Sequence, residues 1–484
     1  MSMLEIAARI GDIQEVKSLL ANEGTRVTTK ALILAVHNGH IKVAKRLLRH
    51  HDARGSDDTI DTNLPPLIAA GTGNAKMLKF IKLMMKHKPT WINSTNNKRG
   101  LTPLIIASEL GHEEVVASLL SNEDVEVNKA AKDGATPLIT AAQNGHVNVV
   151  KLLLRHINID INQANSNGAT PLFIAARSGN DRIVKRILRH GDVRINKATT
   201  KGGISPLLVA IKHEHDTIVT RDELYKNRSS RKIDSQRPFS REYDFLTPFF
   251  LTVNPFSPKT YFYTIVTRLL AEKGIKVNKP AEDGTTPLLM AVQNHNVNVV
   301  KQLLETDGIK INKALPLGTT PLIRAVERGN PNMVKMLLEA EGIDMNKTRN
   351  DGMTALWQAA WKGHAEVVRL LLEADGIDVN QPTNDGATPL FIAIERGHEV
   401  VIKLLLNRQD IDVNKESKGV SPLLLASTWG LDGVVEALLE VEGIDLNQGN
   451  PYGATPLFMA AAWGYEKVRD QIYLILCTIS CMTL

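Results

Sequence analysis

The sequence predicts an all-α repeat solenoid, in which stacked helix-turn-helix units are joined by hairpin-like finger loops. A pattern of the type Asp-Gly-Ala-Thr-Pro-Leu begins at Asp133 and returns at Asn167 and Asp385. Each copy is followed by apolar residues at helical spacing. From Pro103 onward nearly every step between copies is 33 to 35 residues, and a fixed period of this size indicates a repeat architecture.

The first helix of each unit begins at the Thr-Pro pair. The hydroxyl of Thr136 can accept a hydrogen bond from a free amide of the first turn. Pro137 then occupies the first helical position, where a missing N–H costs nothing. Leu138 and two following alanines form a narrow apolar stripe, and Gly145 ends the helix because glycine adopts the left-handed conformation at the lowest cost.

The second helix follows this glycine directly. Its apolar side consists of the valines and leucines at 149, 150, 152 and 153. Extended chain at 159–162 then leads into the turn at Asn167 and Gly168, where the next unit begins. The predicted order within a unit is therefore helix, turn, helix and finger.

This order resembles the ankyrin repeat, whose pattern is a turn followed by T-P-L-H-x-A-A, G-H, V-V-x-L-L-L and D-V-N. The resemblance extends over nearly the whole chain, and it implies a concave face formed by the finger tips and the ends of the first helices. The family's histidine after T-P-L is replaced throughout, so apolar packing must take the place of its hydrogen bonds. The replacing residues are Ile105, Ile139, Phe173, Leu208, Leu289, Ile323, Trp357, Phe391, Leu424 and Phe458.

Thirteen units can be placed by the proline of T-P-L or the residue in its position, and each unit is named below by this anchor. The first three are degenerate, which suits a capping role for the first, because one of its faces meets water. Repeats therefore occupy residues 1–213 and 264–470. The anchors are Met3, Ala31, Pro66, Pro103, Pro137, Pro171, Pro206, Pro287, Pro321, Ala355, Pro389, Pro422 and Pro456.

The Pro206 repeat is interrupted by an irregular insertion, residues 214–263. Pro287 lies 81 residues after Pro206, which is 47 more than a 34-residue period. Residues 217–221 recur letter for letter at 264–268, so a normal second helix remains if the 47 residues between the copies are removed. The inserted stretch is rich in proline and aromatic residues and has no helical period.

Two interpretations of the insertion stay open. It can be a segment without specific function, either a tolerated loop or retained non-coding sequence, which the perfect duplication favours. Alternatively it is a projecting docking loop, whose basic residues 228–232 form a phosphorylation or import patch.

The C-terminal residues 471–484 form an apolar tail. The 13 residues of 472–484 are mostly apolar, which is unlike a polar terminal cap and too short to span a membrane. We favour a frayed last helix, with partner binding or a misread end as alternatives.

Composition favours a reducing compartment. The only two cysteines, Cys477 and Cys481, lie in the tail, which argues against a disulfide-built secreted module. The first residues already follow the repeat pattern rather than that of a signal peptide. A net charge of +6 permits anionic partners without demanding nucleic acid. We expect a cytoplasmic protein, with the nucleus as the alternative, and no membrane span.

No motif indicates catalysis. The chain contains no phosphate-binding P-loop, HExxH helix or G-x-S-x-G nucleophile elbow. The histidines after the turn glycines are structural in the family, and the cluster at 213–216 lacks further spaced ligands. We therefore expect no catalytic residue, no cofactor and no metal. The turn histidines are His112, His146, His364 and His398.

An asparagine recurs in nine of the fingers, and we expect it to hydrogen-bond local backbone and hold the finger in place. The next residue is Lys in six of nine copies. This row is either a set of solvated charges or a cationic rail that faces an acidic partner. The asparagines are Asn128, Asn162, Asn196, Asn278, Asn312, Asn346, Asn380, Asn414 and Asn447.

Partner specificity must lie where the repeats differ on an exposed face, because residues common to all repeats build the solenoid. The two residues before each turn glycine are the most variable of the first helix, and in the later repeats they become basic and then aromatic. Trp beside Arg and Lys is typical of interface hot spots, although these rings could instead pack over neighbouring helices. The predicted partner-binding residues are Arg328, Trp361, Lys362, Arg396, Trp429 and Trp463.

The sequence thus predicts a monomeric, non-catalytic scaffold or adaptor that binds other proteins, with an acidic, partly apolar segment as the expected ligand. Two alternatives remain. The array can bind nucleic acid or another polyanion through a basic face, although nucleic acid is not the partner that we expect, or it is a relic without a dedicated partner.

Overall fold

The computed structural model divides into two compact units, Met1–Lys276 and Val277–Leu484. Regular structure in the described ranges is helical, apart from an isolated antiparallel bridge between Ser417 and Val420. The predicted all-α repeat solenoid is confirmed. The structure describes residues 2–22, 25, 27–53, 64–73, 92–95, 99–213 and 260–482.

Helices recur along the described residues of both compact units, and most form pairs that consist of a first helix at the anchor and a second helix after the turn. In the first unit the helices are Met3–Ile10, Ile13–Ala21, Thr29–His37, Ile41–Ala53, Leu64–Thr72, Pro103–Leu110, Glu113–Leu120, Pro137–Gln143, Val147–Leu153, Pro171–Arg177, Asp181–Leu188, residues 206–213, and Thr260–Leu270. In the second they are Pro287–Gln293, Val297–Leu304, Pro321–Glu327, Pro331–Leu338, Ala355–Lys362, Ala365–Leu372, Pro389–Glu395, Glu399–Leu406, Pro422–Thr428, Asp432–Leu439, Pro456–Ala462 and Glu466–Met482.

The Thr-Pro pair starts the first helix as predicted. Thr136 Oγ1 accepts a hydrogen bond from the N–H of Ile139 at 3.2 Å, and Pro137 occupies the first helical position. The last helical residue is Gln143, and Gly145 follows with φ of +76°. The predicted glycine stop is therefore confirmed, and residues of the same repeat set the start and the end of the first helix.

Successive repeats stack helix on helix. The first helix Pro389–Glu395 packs on Pro422–Thr428, and the second helix Glu399–Leu406 packs on Asp432–Leu439. In the inner repeats, the residue that replaces the histidine after T-P-L is buried, as at Phe391. The expected apolar packing at this position is confirmed there.

The finger asparagines join neighbouring repeats. Asn380 Nδ2 donates to the carbonyl of Asp410 at 2.6 Å, and its Oδ1 accepts from the N–H of Asp412 at 2.7 Å. The expectation of local bonding was wrong, because the amide reaches backbone about thirty residues further along the chain. The same pair of bonds is made by Asn93, Asn128, Asn162, Asn196, Asn278, Asn312, Asn346 and Asn414.

The histidines after the turn glycines also connect repeats. His146 Nε2 lies 2.9 Å from the carbonyl oxygen of Glu109, and His398 Nε2 lies 3.1 Å from that of Trp361. Each imidazole thus bonds the end of the preceding first helix, which is the structural role predicted for it.

The helix Thr260–Leu270 takes the place of a second helix after residues 206–213. It contains the second copy of the duplicated sequence, in which Arg268 donates two hydrogen bonds to the Asp181 carboxylate, at 2.9 and 3.1 Å. The helix begins inside the segment predicted as the insertion. The first copy at 217–221 and the basic patch at 228–232 lie outside the described residues.

The last helix, Glu466–Met482, continues without interruption into the predicted apolar tail. It is 17 residues long, about twice the length of the other second helices of this unit. The limits proposed for the repeats, insertion and tail remain predictions.

Candidate protein-interaction surface

The predicted partner-binding residues lie in the second unit, at the ends of successive first helices. Arg328, Arg396, Trp429 and Trp463 each occupy the capping position after the last helical residue, whereas Lys362 is the last residue of its helix. All five side chains are exposed. One structural position therefore changes from basic to aromatic over five consecutive repeats.

Trp361 is the half-buried member of the predicted set. Its ring stacks on that of Trp357, with centroids 6.2 Å apart and planes inclined by 23°. Lys362 Nζ lies 4.4 Å from the Trp361 centroid, and Arg396 Cζ lies 5.5 Å from it. The structure thus brings three predicted residues from two adjacent repeats together, and we call Trp361, Lys362 and Arg396 the cation–Trp cluster.

The cation–Trp cluster is electropositive. Each cation is attracted to the ring by about 0.5–1 kcal/mol at an exposed site, but the two cations repel each other. The pKa of nearby His364 is lowered, first by burial and then by the charge of Lys362. A carboxylate that approached Lys362 and Arg396 would relieve their repulsion, so this position can accept an acidic side chain.

The two remaining tryptophans present large apolar surfaces. The side chain of Trp429 is 46% exposed and that of Trp463 is 62% exposed. Trp normally has most of its surface removed from water. These rings therefore offer area that a bound chain could cover, next to the exposed cations of the preceding repeats.

An ion-pair network beside this row was not predicted from the sequence. Glu327 accepts from Arg324 Nη1 at 2.7 Å and from Arg349 Nη1 at 3.5 Å, and Arg349 Nη2 lies 3.0 Å from Asp351 Oδ2. The three-residue spacing of Arg324 and Glu327 was the available signal. Because the network neutralises the Glu327 carboxylate, that carboxylate does not offset the positive charge of the neighbouring Arg328.

The lysines that follow the finger asparagines are partly structural. Lys197 Nζ donates to the carbonyl of Asn162 at 3.5 Å, and Lys313 Nζ donates to that of Asn278 at 3.3 Å. These two ammonium groups lie against the preceding finger. They therefore contribute less to a cationic rail than their regular spacing suggests.

No group of three or more His, Cys, Asp or Glu side chains that could hold a metal ion occurs in the described part of the chain. Within the same residues, every helix is too short or too polar to cross a membrane.

Comparison with known proteins gives the family. A family model described as ankyrin repeats (3 copies) matches residues 67–165, 155–221, 259–349, 322–417, 378–450 and 401–475.

Two solved structures are similar. EF0377, an ankyrin repeat protein, is 25% identical with a TM-score of 0.36, over 39% of this chain and 96% of that chain. The ankyrin repeat domain of Bcl-3, described as a unique member of the IkappaB protein family, is 30% identical with a TM-score of 0.40, over 43% and 92%. No curated protein matches the chain. Because the family model matches well over half of its length, the chain belongs to the ankyrin-repeat family.

Proposed function

We propose that this protein is a non-catalytic scaffold that binds an acidic, partly apolar segment of another protein along the row from Arg328 to Trp463. Ankyrin repeats are generally protein-interaction modules. The single observation that carries the specific proposal is the cation–Trp cluster, followed in the next repeats by exposed Trp429 and Trp463.

The order of side chains in the row matches such a ligand. Carboxylates of the bound segment pair with Arg328, Lys362 and Arg396, and its apolar side chains cover Trp429 and Trp463. Trp and Arg are the residue types that dominate binding energies at interfaces, where one side chain can supply roughly 2 kcal/mol or more. The rigid stack of repeats presents them without the entropic cost of ordering a loop.

The binding test uses a short fluorescent peptide rich in Glu with interspersed Leu, called the acidic probe. We expect the double substitution Trp429→Ala and Trp463→Ala to weaken its binding by at least about thirtyfold, the equivalent of one hot spot. Fluorescence anisotropy measures the affinity, and circular dichroism checks that the helices persist.

Tyr452→Ala is the matched control, because Tyr452 is an almost fully exposed aromatic residue outside the row. This variant should bind the acidic probe as the parent does. Undiminished binding by the double Trp variant would contradict the proposal. Equal affinity for the probe and for duplex DNA, falling steeply with salt, would instead indicate a general polyanion binder.

The proposed setting is the cytoplasm or the nucleus, because both cysteines are in the tail and neither compartment favours disulfides. One copy of the chain carries the complete row, so partner binding needs no oligomer.

A further inference from the structure

We propose that two copies of this chain associate head to tail, with the outer face of the Pro456 repeat of one copy packed on the outer face of the Met3 repeat of the other. This inference is independent of the partner-binding row. It replaces the monomer that the sequence favours with a concentration-dependent assembly.

The Pro456 repeat exposes residues that other repeats bury. Phe458, two residues after its anchor, is 61% exposed, whereas its counterparts Phe391 and Leu424 are buried under the next repeat. Ala461 is exposed in the same way, although its counterpart Ser427 is fully buried. The first-helix layer of this repeat thus presents an apolar surface of the kind that a following repeat covers elsewhere.

The Met3 repeat exposes the opposite half of the same interface. Met3, at the anchor, is 65% exposed, and Ile6, three residues later, is 40% exposed. The counterpart of Ile6 is buried in some later repeats, as at Ile392 and Leu425, and half-buried in others, as at Ile106. The other face of the Met3 repeat is already occupied, because Thr28 donates a hydrogen bond to Glu5 at 3.4 Å.

The second-helix layer adds complementary charge. In the inner repeats, two apolar residues of the second helix are buried, such as Val401 and Ile402. They lie three and four residues after the position of the turn histidine, and we call these the first and the second position. The Met3 repeat has exposed Glu15 at the first of these positions, and the Pro456 repeat has exposed Arg469 at the second.

Exposure shows which neighbour each position faces. In the Met3 repeat, which packs on a following repeat, Val16 at the second position is buried. In the Pro456 repeat, which packs on a preceding repeat, Val468 at the first position is buried. The first position therefore faces the preceding repeat, and the second position faces the following one. Head-to-tail stacking therefore brings Glu15 of one copy opposite Arg469 of the other. Arg469 is held at the helix surface by its neighbour Asp470, at 2.7 Å.

A second copy is the occupant that fits both faces. The two exposed surfaces are the two halves of the repeat–repeat interface that recurs along the chain, with apolar residues in one layer and opposite charges in the other. Exposed apolar patches on a folded protein mark contact sites. The contact joins different surfaces of the two copies, so it is heterologous.

The test is complementation between two full-length variants. Phe458→Asp blocks the face on the Pro456 repeat, and Ile6→Asp blocks the face on the Met3 repeat. Each variant alone should sediment as a monomer at concentrations where the parent chain shows a rising average mass. Mixed in equal amounts, the two variants retain one competent face each and should form a dimer that grows no further.

The mixed sample also shows that both variants are folded, because an unfolded variant could not complement. A parent chain that keeps the monomer mass at every soluble concentration would overturn the proposal. Two other results would also overturn it. In the first, the parent chain associates but the mixture of variants forms no dimer. In the second, only Phe458→Asp abolishes association, which would indicate that like faces pair with each other. Glu15→Arg should weaken parent association about threefold, and adding Arg469→Glu should restore it.

Discussion

Asn380 holds the finger of the following repeat with both ends of its side-chain amide, through bonds of 2.6 and 2.7 Å. Asn380→Ala leaves the carbonyl of Asp410 and the N–H of Asp412 without these partners. We expect a loss of about 1–2 kcal/mol in the free energy of unfolding, because two hydrogen bonds at an exposed site are removed. Urea denaturation followed by circular dichroism measures it.

Asn447 provides the matched control, since it is the last member of the asparagine row. Its backbone N–H donates to Asp445 at 2.9 Å, and this bond does not involve the Asn447 side chain. Asn447→Ala should therefore change the stability by only a few tenths of a kcal/mol. Similar losses for both substitutions would show that the bridges between fingers contribute little and that intrinsic propensity dominates.

Residues with local partners were predictable, and those with distant partners were not. Thr136 caps an amide three residues away, so its role could be read from a short motif. Asn380 bonds backbone 30 and 32 residues later, and only the stacking of repeats shows that partner. Trp361 was predicted as an interface residue. Its ring stacks on Trp357, four residues earlier in the same helix, which is a local contact, but its contact with Arg396 depends on the packing of the next repeat.

At the scale of elements, the duplicated sequence offers two candidates for one helix, and Arg268 in the second copy pairs with Asp181 in the preceding second helix. Arg268→Leu removes a bidentate, partly buried ion pair and leaves Asp181 without it. We expect a loss of about 1–2 kcal/mol in the free energy of unfolding, which exceeds the usual value for an exposed pair because of this geometry. Thermal and urea denaturation measure the loss.

Arg221 is the control that the duplication itself supplies, because it is the letter-for-letter counterpart of Arg268. If the second copy alone completes the repeat, Arg221→Leu should change the free energy of unfolding by less than about 0.5 kcal/mol. If Arg221→Leu were the more destabilising of the two, the first copy would be the one that completes the repeat.

The existence and order of the helices followed from the sequence, because each unit carries its own cap, apolar stripe and glycine stop. The start at Thr260 did not follow. Phe262 is buried against Gly179 of the preceding repeat, where several other repeats place a histidine. A boundary drawn from sequence identity between the copies misses this contact, because Phe262 precedes the duplicated residues 264–268.

At the scale of the whole molecule, the net charge of +6 is small, so the arrangement of the charges must decide which anions bind. The substitutions Lys362→Gln and Arg396→Gln remove two charges from the cation–Trp cluster. We expect them to weaken binding of the acidic probe about tenfold at low salt and to flatten its salt dependence, because close, complementary charges govern encounter and register. Anisotropy titrations over a range of ionic strengths measure both effects.

A second pair of substitutions separates position from total charge. Lys335 and Lys403 are exposed on second helices, away from the row, and their change to Gln lowers the net charge by the same amount. This control should bind the acidic probe within about twofold of the parent, because both lysines lie on second helices and the row lies at the ends of first helices, and salt screens exposed charges over distance. Equal losses for the two pairs would mean that overall charge attracts the probe, and the cation–Trp cluster would then have no specific part in binding.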